Sequence, residues 1–404
     1  MYVQVFFLLT FFEKHRKILI RKHAIKLENY PSVTIIVPCY NEETTVVKTV
    51  KSLLALEYPR NKLKIIVVDD GSKDNTWKVI QQFKKNTQIE IFRKENGGKH
   101  TAVNFALERI TTDLVGGLDA DSFVDSEALK RIITYFDNPE TMAVAPSIMV
   151  HRPKNILQKA QKAEYDMAVF NKKMLAFMGG IHVTPGPFSI FRKKVFDDLG
   201  PYRKAHNTED QEIALRMQAA GYKIEHCPDA YVYTMSPNTI PQLYRQRLRW
   251  IYGFIKNAFD YRRLLFKKRY GNVALFTLPS GIISVISVVF LFAFIIYNFF
   301  NFINHKVLQV QTIGFGSFFH NISFDWFFID TKVIMFVSVI LYGMVVTALL
   351  LGRRMAEGRI RFSFDILYFV VIYSLIAPFW VFKAIYNAIR SRESSWTFER
   401  RVKT

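Results

Sequence analysis

Two adjacent carboxylates, Glu209 and Asp210, lie near the start of the stretch NTEDQEIALRM (residues 207–217). A carboxylate can take a proton from a hydroxyl group, so the pair is a candidate for acid–base chemistry. The stretch also has the pattern of an amphipathic helix, and acidic residues are common in the first turn of a helix, where the dipole is positive. Taken alone, the pair favours a helix start over a catalytic group.

A second pair of carboxylates, Asp119 and Asp121, is separated by the small residue Ala120. On an extended chain alternate side chains point to the same side, so we expect the two carboxylates to converge. Converging carboxylates suit Mg²⁺ or Mn²⁺, which prefer oxygen ligands and can neutralise a diphosphate leaving group. The pair therefore predicts a divalent-cation site.

The glycine-rich stretch ENGGKH (residues 95–100) resembles part of a phosphate-binding P-loop. A P-loop requires glycine five positions before Gly98, where Arg93 stands, and Ser or Thr after Lys99, where His100 stands. We therefore exclude that motif. Glycines and a lysine at the start of a helix can still bind phosphate oxygens.

The segment QRLRW (residues 246–250) combines an amide, two arginines and a tryptophan just before the apolar C-terminal part. Arginine makes bidentate contacts with phosphate, and tryptophan offers a flat face to a sugar ring. The alternative is an amphipathic helix whose arginines contact lipid phosphates.

The elements that must position these groups are predicted by alternating strand and helix patterns between about Val33 and Ala230. The runs Val33–Pro38 and Lys64–Asp69 are continuously apolar, as in strands buried on both faces. This alternation predicts an α/β fold with a mainly parallel sheet, whose ligands bind at the carboxyl ends of the strands. PCYNEE, DDGS, ENGGKH and DAD each follow a predicted strand, so they predict one polar cleft.

The composition points to a membrane and to a negatively charged partner. The 404 residues carry a formal charge of +21, half of them are hydrophobic and 37 are Phe. Nucleic acid, anionic lipid and phosphorylated substrates fit the charge, but no nucleic-acid-binding motif is present, so we expect no nucleic-acid partner. The two cysteines indicate neither a disulfide framework nor a zinc site.

Three apolar runs predict membrane crossings: Val273–Phe300, Val333–Leu351, and Ile366–Phe382, which Pro378 interrupts. Basic clusters before residue 27 and at residues 262–270 place the segment between them in the cytoplasm, and the loop 301–330 outside. Three full crossings would leave the basic segment 390–401 outside, against the same rule. Either one segment does not cross fully, or this tail breaks the rule.

The combination of DDGS, DAD, TED and QRLRW, in this order, resembles the membrane-embedded family 2 glycosyltransferases, the processive synthases of cellulose, chitin, hyaluronan and poly-N-acetylglucosamine. The resemblance runs from about Val33 to Trp250. It implies a GT-A catalytic domain in the cytoplasm, a UDP-sugar donor, a carbohydrate acceptor, Mg²⁺ or Mn²⁺, and inversion to a β-linkage, with an accessory membrane subunit as a possible partner. The FxVTxK segment of cellulose synthases is absent, which argues against cellulose.

The resemblance also implies a role for individual residues. It assigns the nucleotide-sugar to Pro38, Tyr40, Glu42, Asp70, Lys99 and Asp119. It assigns the metal to Asp119 and Asp121, and the general base to Asp210. It assigns the diphosphate and the acceptor to Glu209, Gln246, Arg247, Arg249 and Trp250.

Five regions are expected along the chain. They are an apolar N-terminal segment with a basic linker (1–27), favoured as the end of a longer membrane helix over an interfacial anchor; the GT-A domain (28–239); interface helices that carry QRLRW (240–271); about three transmembrane helices (272–384); and a basic tail (385–404). Transfer of single sugars to a lipid-linked acceptor is the main alternative to processive synthesis. A channel is disfavoured because the apolar runs hold almost no ionisable residues.

Overall fold

The computed structural model describes residues 2–21, 29–314 and 331–390. The strands are β1 (Val33–Cys39), β2 (Leu63–Asp69), β3 (Ile89–Arg93), β4 (Leu114–Gly117), β5 (Ser122–Val124), β6 (Thr141–Val150), β7 (Ile190–Arg192) and β8 (Lys223–Thr234). The helices are α1 (Tyr2–Arg21), α2 (Val46–Leu54), α3 (Thr76–Ile80), α4 (Lys99–Leu107), α5 (Ala128–Ile133), α6 (Ile156–Phe177), α7 (Lys194–Leu199), α8 (Glu209–Ala219), α9 (Ile240–Asp260), α10 (Leu278–Ile313), α11 (Thr331–Glu357) and α12 (Asp365–Ile389).

One mixed sheet carries the α/β part, with strand order β3-β2-β1-β4-β7-β6-β8-β5. Strands β3, β2, β1 and β4 are mutually parallel, and β7 and β5 are antiparallel to their neighbours. Ile35 and Ile36, consecutive in β1, belong to apolar clusters on opposite faces of the sheet. Both faces are therefore covered, which explains the continuous apolar runs and confirms the predicted α/β fold.

The DAD segment departs from its predicted geometry. Residues 119–121 do not continue a strand: they form a turn in which the amide of Ser122 donates to the carbonyl of Asp119 at 2.9 Å. The prediction that Asp119 and Asp121 share one side of an extended chain is wrong, because β4 ends at Gly117 and the backbone reverses before β5.

Three helices of the described chain are long and apolar enough to cross a membrane: Val273–Thr312, Phe336–Glu357 and Asp365–Ile389. The first extends into the predicted external loop, so residues 301–313 are helical and that part of the prediction is wrong. The third continues through Pro378 to Ile389, so residues 385–389 are helix rather than tail. Residues 315–330 and 391–404 lie outside the described residues.

The long helices pack against the α/β part. In α1, the ring of Phe7 lies 6.4 Å from Phe170 of α6 and 6.0 Å from Phe276. In α11, the backbone of Gly352 passes so close to α6 that a Cβ there would lie 1.8 Å from the carbonyl oxygen of Asp166. Helix α6 therefore stands between the sheet and the apolar helices.

Candidate active site

Lys99, the first residue of α4, is at the centre of the polar cleft. Its Nζ lies 2.7 Å from Asp119 Oδ1 and 3.3 Å from Glu209 Oε1. Burial lowers the pKa of Lys99, but the charges of Asp119 and Glu209 outweigh it, so the pKa stands above its ordinary value. A Cβ on Gly186 would come within 2.7 Å of Nζ, so the glycine leaves room for this ion pair. The lysine therefore stays charged and links the DAD and TED segments.

Asp70, at the end of β2, organises the glycine-rich segment. Its Oδ2 accepts a hydrogen bond from the amide of Gly98 at 2.8 Å, and its Oδ1 accepts from the amide of Gly97 at 3.2 Å. Lys94 Nζ adds an ion pair at 2.7 Å. Asp70 is 3% exposed. These contacts fix the loop that precedes Lys99. The uracil-binding role that the resemblance implies for Asp70 stays a prediction.

The segment after β1 forms the opposite edge of the cleft. Pro38 lines the same cleft as Asp119 and Asp210. Tyr40 is half-buried at the end of β1, and Asn41 follows in the left-handed region with φ 57°. Glu42 accepts a hydrogen bond from Thr45 Oγ1 at 2.6 Å and is close enough to Asp121 for its charge to act on that group.

Burial dominates the electrostatics of Asp121, and the positive charge of Lys99 offsets it only in part. Burial, followed by the charges of Asp119 and Glu42, raises the pKa of Asp121 to about 7. Among the described residues no three His, Cys, Asp or Glu side chains form a ready-made metal cage. Asp119 and Asp121 nevertheless fit a hard cation of the Mg²⁺ type, which is commonly held by one or two carboxylates together with substrate phosphates and water.

Glu209 and Asp210 begin α8, and the structure brings both into the cleft with Lys99. Burial and the neighbouring charge of Glu209 raise the pKa of Asp210 to about 6, although Lys99 and Arg249 lower it. For Glu209, burial raises the pKa but Lys99 outweighs it, so the pKa lies below its usual value. The surroundings thereby move the pKa values of the two carboxylates apart. Glu209 stays ionised as the partner of Lys99, and Asp210 is able to exchange a proton near neutral pH.

The loop before α8 is strained and held by α9. Ala205, His206 and Asn207 all have positive φ angles, of 43°, 55° and 61°. Arg249 Nη1 donates to the carbonyl of Asn207 at 2.9 Å, and His206 Nε2 lies 2.9 Å from Asp260 Oδ2. Such backbone conformations persist only where surrounding contacts enforce them. The QRLRW helix therefore fixes the position of the TED segment.

The QRLRW residues face different surroundings. The Oε1 atom of Gln246 is buried with no hydrogen-bond partner in the described part of the chain. Arg247 is 4% exposed; it pairs with Glu164 of α6, bonds Tyr373 of α12 at 3.2 Å and lies 4.1 Å from the ring centroid of Trp250. These contacts pack Arg247 between α6, α9 and α12, but its Nε and Nη1 atoms are buried without a hydrogen-bond partner among the described residues, so the ligand role that the resemblance implies stays a prediction.

Several residues of the cleft carried no recognisable sequence signal of their own. Tyr202 lines the cleft, and Thr184 donates from both its amide and its hydroxyl to the carbonyl of Asp210, at 3.2 and 3.0 Å. Burial lowers the pKa of Lys172 of α6 to about 8, and the nearby charge of Asp210 opposes this shift.

Comparison with known protein families identifies part of this chain. Residues 34–200 match the family described as Glycosyl transferase family 2. This range contains β1 to β4, the glycine-rich segment and DAD. It stops before TED and QRLRW, whose places in the site rest on the geometry given above.

Curated relatives extend the similarity. The chain is 33% identical over 242 residues to a poly-beta-1,6-N-acetyl-D-glucosamine synthase of Staphylococcus epidermidis, covering 59% of this chain and 58% of that protein. It is 32% identical over 236 residues to the enzyme of the same name from Staphylococcus aureus, covering 58% and 57%. The chain thus matches less than two thirds of the length of these relatives.

A solved structure supports the fold. A mannosyltransferase from Pyrobaculum calidifontis, in complex with GDP-Man and Mn²⁺, superposes with a TM-score of 0.57 at 15% identity, covering 97% of this chain and 100% of that one. At this identity the similarity concerns the arrangement of the elements, which is that of a GT-A-like sheet followed by apolar helices.

Proposed function

Because residues 34–200 form a family 2 glycosyltransferase domain, we propose that this chain transfers a sugar from a UDP-sugar to the growing end of a β-linked polysaccharide at the membrane. The observation that carries the proposal is the position of Asp210. It lies in one cleft with Lys99 and Asp119, and its pKa is raised to about 6. A carboxylate with such a pKa is suited to accept a proton at neutral pH.

The donor we propose is UDP-N-acetylglucosamine. Two relatives that are 33% and 32% identical bear the name poly-beta-1,6-N-acetyl-D-glucosamine synthase. Their similarity covers well over half of this chain. The same donor chemistry is consistent with the overall charge of +21, which favours a diphosphate substrate at a membrane surface.

In the proposed reaction, Asp210 removes the proton of an acceptor hydroxyl as that oxygen attacks the anomeric carbon. One base and direct displacement give inversion, so an α-linked donor yields a β-linkage. Arg249 and Lys99 offer positive charge to the departing diphosphate. A Mg²⁺ or Mn²⁺ ion held by Asp119 and Asp121 would neutralise further charge on the leaving group when bound. Trp250 offers its ring to the acceptor sugar.

We place the catalytic part on the cytoplasmic side, where UDP-sugars are made, and expect coupled export of the product. Helix α9 with its basic residues would then lie at the membrane face. An accessory membrane subunit is a further possible partner. Transfer of a single sugar to a lipid-linked acceptor uses the same site chemistry and is the second candidate, because Asp210 would activate any acceptor hydroxyl.

The test is UDP release by the purified, detergent-solubilised protein with a panel of UDP-sugars and Mg²⁺ or Mn²⁺, with labelled product sized on a gel. We expect turnover with UDP-N-acetylglucosamine, long products, and loss of turnover in Asp210→Asn. Asp197→Asn is the matched control, because Asp197 is an exposed partner of Lys193 on α7. Short products only would favour single-sugar transfer. No turnover with any donor by folded protein would contradict the proposal.

A further inference from the structure

The polar cleft continues along α4 as a recess with apolar walls. Lys99, Val103 and Leu107 follow one another at every fourth position of α4, so they share one face of the helix, and all three line the cleft. The helix rises by about 12 Å from the first to the last of them. Phe191 of β7 and Phe196 of α7 line the same space. The charged residues around Lys99 therefore occupy one end of the cleft, and the other end is apolar.

Two glycines of β4 leave the floor of the recess open. A Cβ on Gly116 would lie 2.3 Å from Ile190 Cδ1, in the apolar cluster on the other face of the sheet. A Cβ on Gly117 would point to the recess, because side chains alternate along a strand, and the nearest atom would be the carbonyl oxygen of Gly186 at 3.5 Å. Position 117 thus leaves space for a methyl group. The whole cleft, including its open mouth, has a volume of about 460 Å³.

Tyr202 stands in the wall of the recess and is held from two sides. Its amide donates to Asn104 Oδ1 at 2.9 Å, and Asn104 Nδ2 donates to its carbonyl oxygen at 2.8 Å. The ring centroids of Phe196 and Phe191 lie 5.2 Å and 6.5 Å from that of Tyr202. Because Asn104 belongs to α4, the same helix fixes the positions of Tyr202 and Lys99.

The hydroxyl group of Tyr202 makes no hydrogen bond to another described residue. It lies close enough to the charged end of the cleft for those charges to act on it. Burial raises the pKa of Tyr202, Lys99 opposes this shift, and Glu209 and Asp210 add to it. The phenol therefore stays protonated at neutral pH and is a hydrogen-bond donor. The recess combines this one donor with apolar walls.

An acetamido group matches both properties of the recess. It carries a methyl group, which the apolar walls can cover, and a carbonyl oxygen, which can accept a hydrogen bond from a phenol. A sugar hydroxyl group offers no methyl group to the same walls. A phosphate is disfavoured in the apolar part, because burial of an unpaired charge is costly.

We infer that this recess holds the N-acetyl group of the donor sugar, with the Tyr202 hydroxyl donating to the acetamide carbonyl oxygen and the methyl group lying over Gly117 between Val103 and Phe191. The inference rests on the proposed function, because it takes the cleft as the donor site. It assigns the preference for a 2-acetamido sugar over a plain hexose to these residues. A site built to hydrogen-bond a substrate group discriminates against the analogue that lacks it.

The test is equilibrium binding of UDP-N-acetylglucosamine, UDP-glucose and UDP to the full chain in detergent with Mg²⁺. The native protein should bind UDP-N-acetylglucosamine more tightly than UDP-glucose. Tyr202→Phe should weaken binding of UDP-N-acetylglucosamine by about three- to tenfold, as expected for one neutral hydrogen bond, and leave the other two ligands unchanged. Tyr222→Phe is the matched control, because the Tyr222 hydroxyl bonds Asp198 at the surface.

A second variant tests the recess without removing a polar group. Gly117→Ala adds a methyl group that the protein has room for, so the fold should persist while the acetamido group loses its space. We expect binding of UDP-N-acetylglucosamine to weaken by about tenfold and binding of UDP-glucose to stay the same. The melting temperature of each variant, measured without ligand, shows whether the fold persists.

Three outcomes would overturn the inference while the proposed sugar transfer stands. They are a native preference for UDP-glucose, an equal loss of all three ligands in both variants, and unchanged binding of UDP-N-acetylglucosamine in both variants. Failure of the folded native protein to bind UDP or either UDP-sugar would instead contradict the proposed function, and the inference with it.

Discussion

Gly253 of α9 lies directly against the side chain of Thr208, the residue that precedes the Glu209–Asp210 pair. A Cβ at Gly253 would come within 2.3 Å of both Oγ1 and Cγ2 of Thr208. Thr208 Oγ1 also accepts a hydrogen bond from Asn257 Nδ2 at 2.9 Å, one turn further along α9. The helix that carries QRLRW thus contacts the start of the helix that carries the proposed base, with no room for an added methyl group.

Replacing Gly253 by alanine should therefore reduce activity. Alanine is the better helix former by about 1 kcal/mol, so a helix-propensity effect alone would stabilise the protein. The clash with Thr208 instead displaces the start of α8, and we expect a loss of turnover of at least about tenfold, since an ångström-scale shift of a catalytic group can cost about a hundredfold. Gly343→Ala is the matched control, because nothing lies within 4 Å of a Cβ there. Equal activity of the two variants would argue against the contact as a constraint.

Replacing Lys99 by methionine should lower the turnover of the donor strongly and the stability of the fold only slightly. The variant leaves Asp119 and Glu209 without their shared partner, and it removes positive charge from the diphosphate side; we expect kcat to fall by about 10²–10³. Lys99→Arg should retain part of the activity, because it keeps the charge. Steady-state UDP release and a thermal melt distinguish the effects. A large fall in the melting temperature with unchanged kcat would show that the ion pair is mainly structural.

Activity should depend on pH through Asp210. Its pKa is raised to about 6 and the ionised form is the base, so kcat/KM should fall about tenfold for each pH unit below 6 and level off above it. Arg249 lowers this pKa, so Arg249→Gln should move the break upwards. The residual activity of Asp210→Asn should lack the break. A pH profile of that variant identical in shape to the wild type would exclude Asp210 as the titrating group.

Replacing Arg247 should mainly lower the stability of the protein, whereas replacing Arg249 should mainly weaken ligand binding. Arg247→Met leaves the partly exposed Glu164 with Tyr373 but without its arginine at the contact of α6, α9 and α12, so we expect a lower melting temperature, with a loss of stability below the about 3–5 kcal/mol of a fully buried pair. Arg249→Met should instead weaken UDP binding with little change in melting temperature. Melting curves and UDP affinity of both variants provide the measurement. Weaker UDP binding by Arg247→Met at an unchanged melting temperature would support the ligand role that the resemblance implied.

The sequence predicted what depends on local pattern. The strands predicted at Val33–Pro38 and Lys64–Asp69 follow from runs of apolar residues, and the helix opened by Glu209 follows from the preference of acidic groups for a helix N-terminus. The predicted strand ends also come together, because parallel strands place their carboxyl ends at one edge. The turn at DAD was missed, since period-two alternation assumes that the strand continues.

Other features depend on contacts between residues far apart in the chain, which periodicity does not encode. The pairing of Lys94 with Asp70 links residues 24 apart, and that of Arg247 with Glu164 links residues 83 apart. The hydrogen bond between Tyr373 and Glu164 joins residues 209 apart and brings α12 against α6.

The position of α6 between the sheet and the apolar helices has a consequence for how the protein is made. Every proposed site residue precedes residue 251, so the ribosome completes the site before it synthesises α10. Asp166 forms its ion pair with Arg353, and Glu164 its hydrogen bond with Tyr373, only after about 200 further residues have been synthesised. A fragment that stops before α11 would leave these carboxylates on α6 without part of their partners. The catalytic part is therefore better produced with its C-terminal helices attached, inserted into a membrane or detergent as synthesis proceeds.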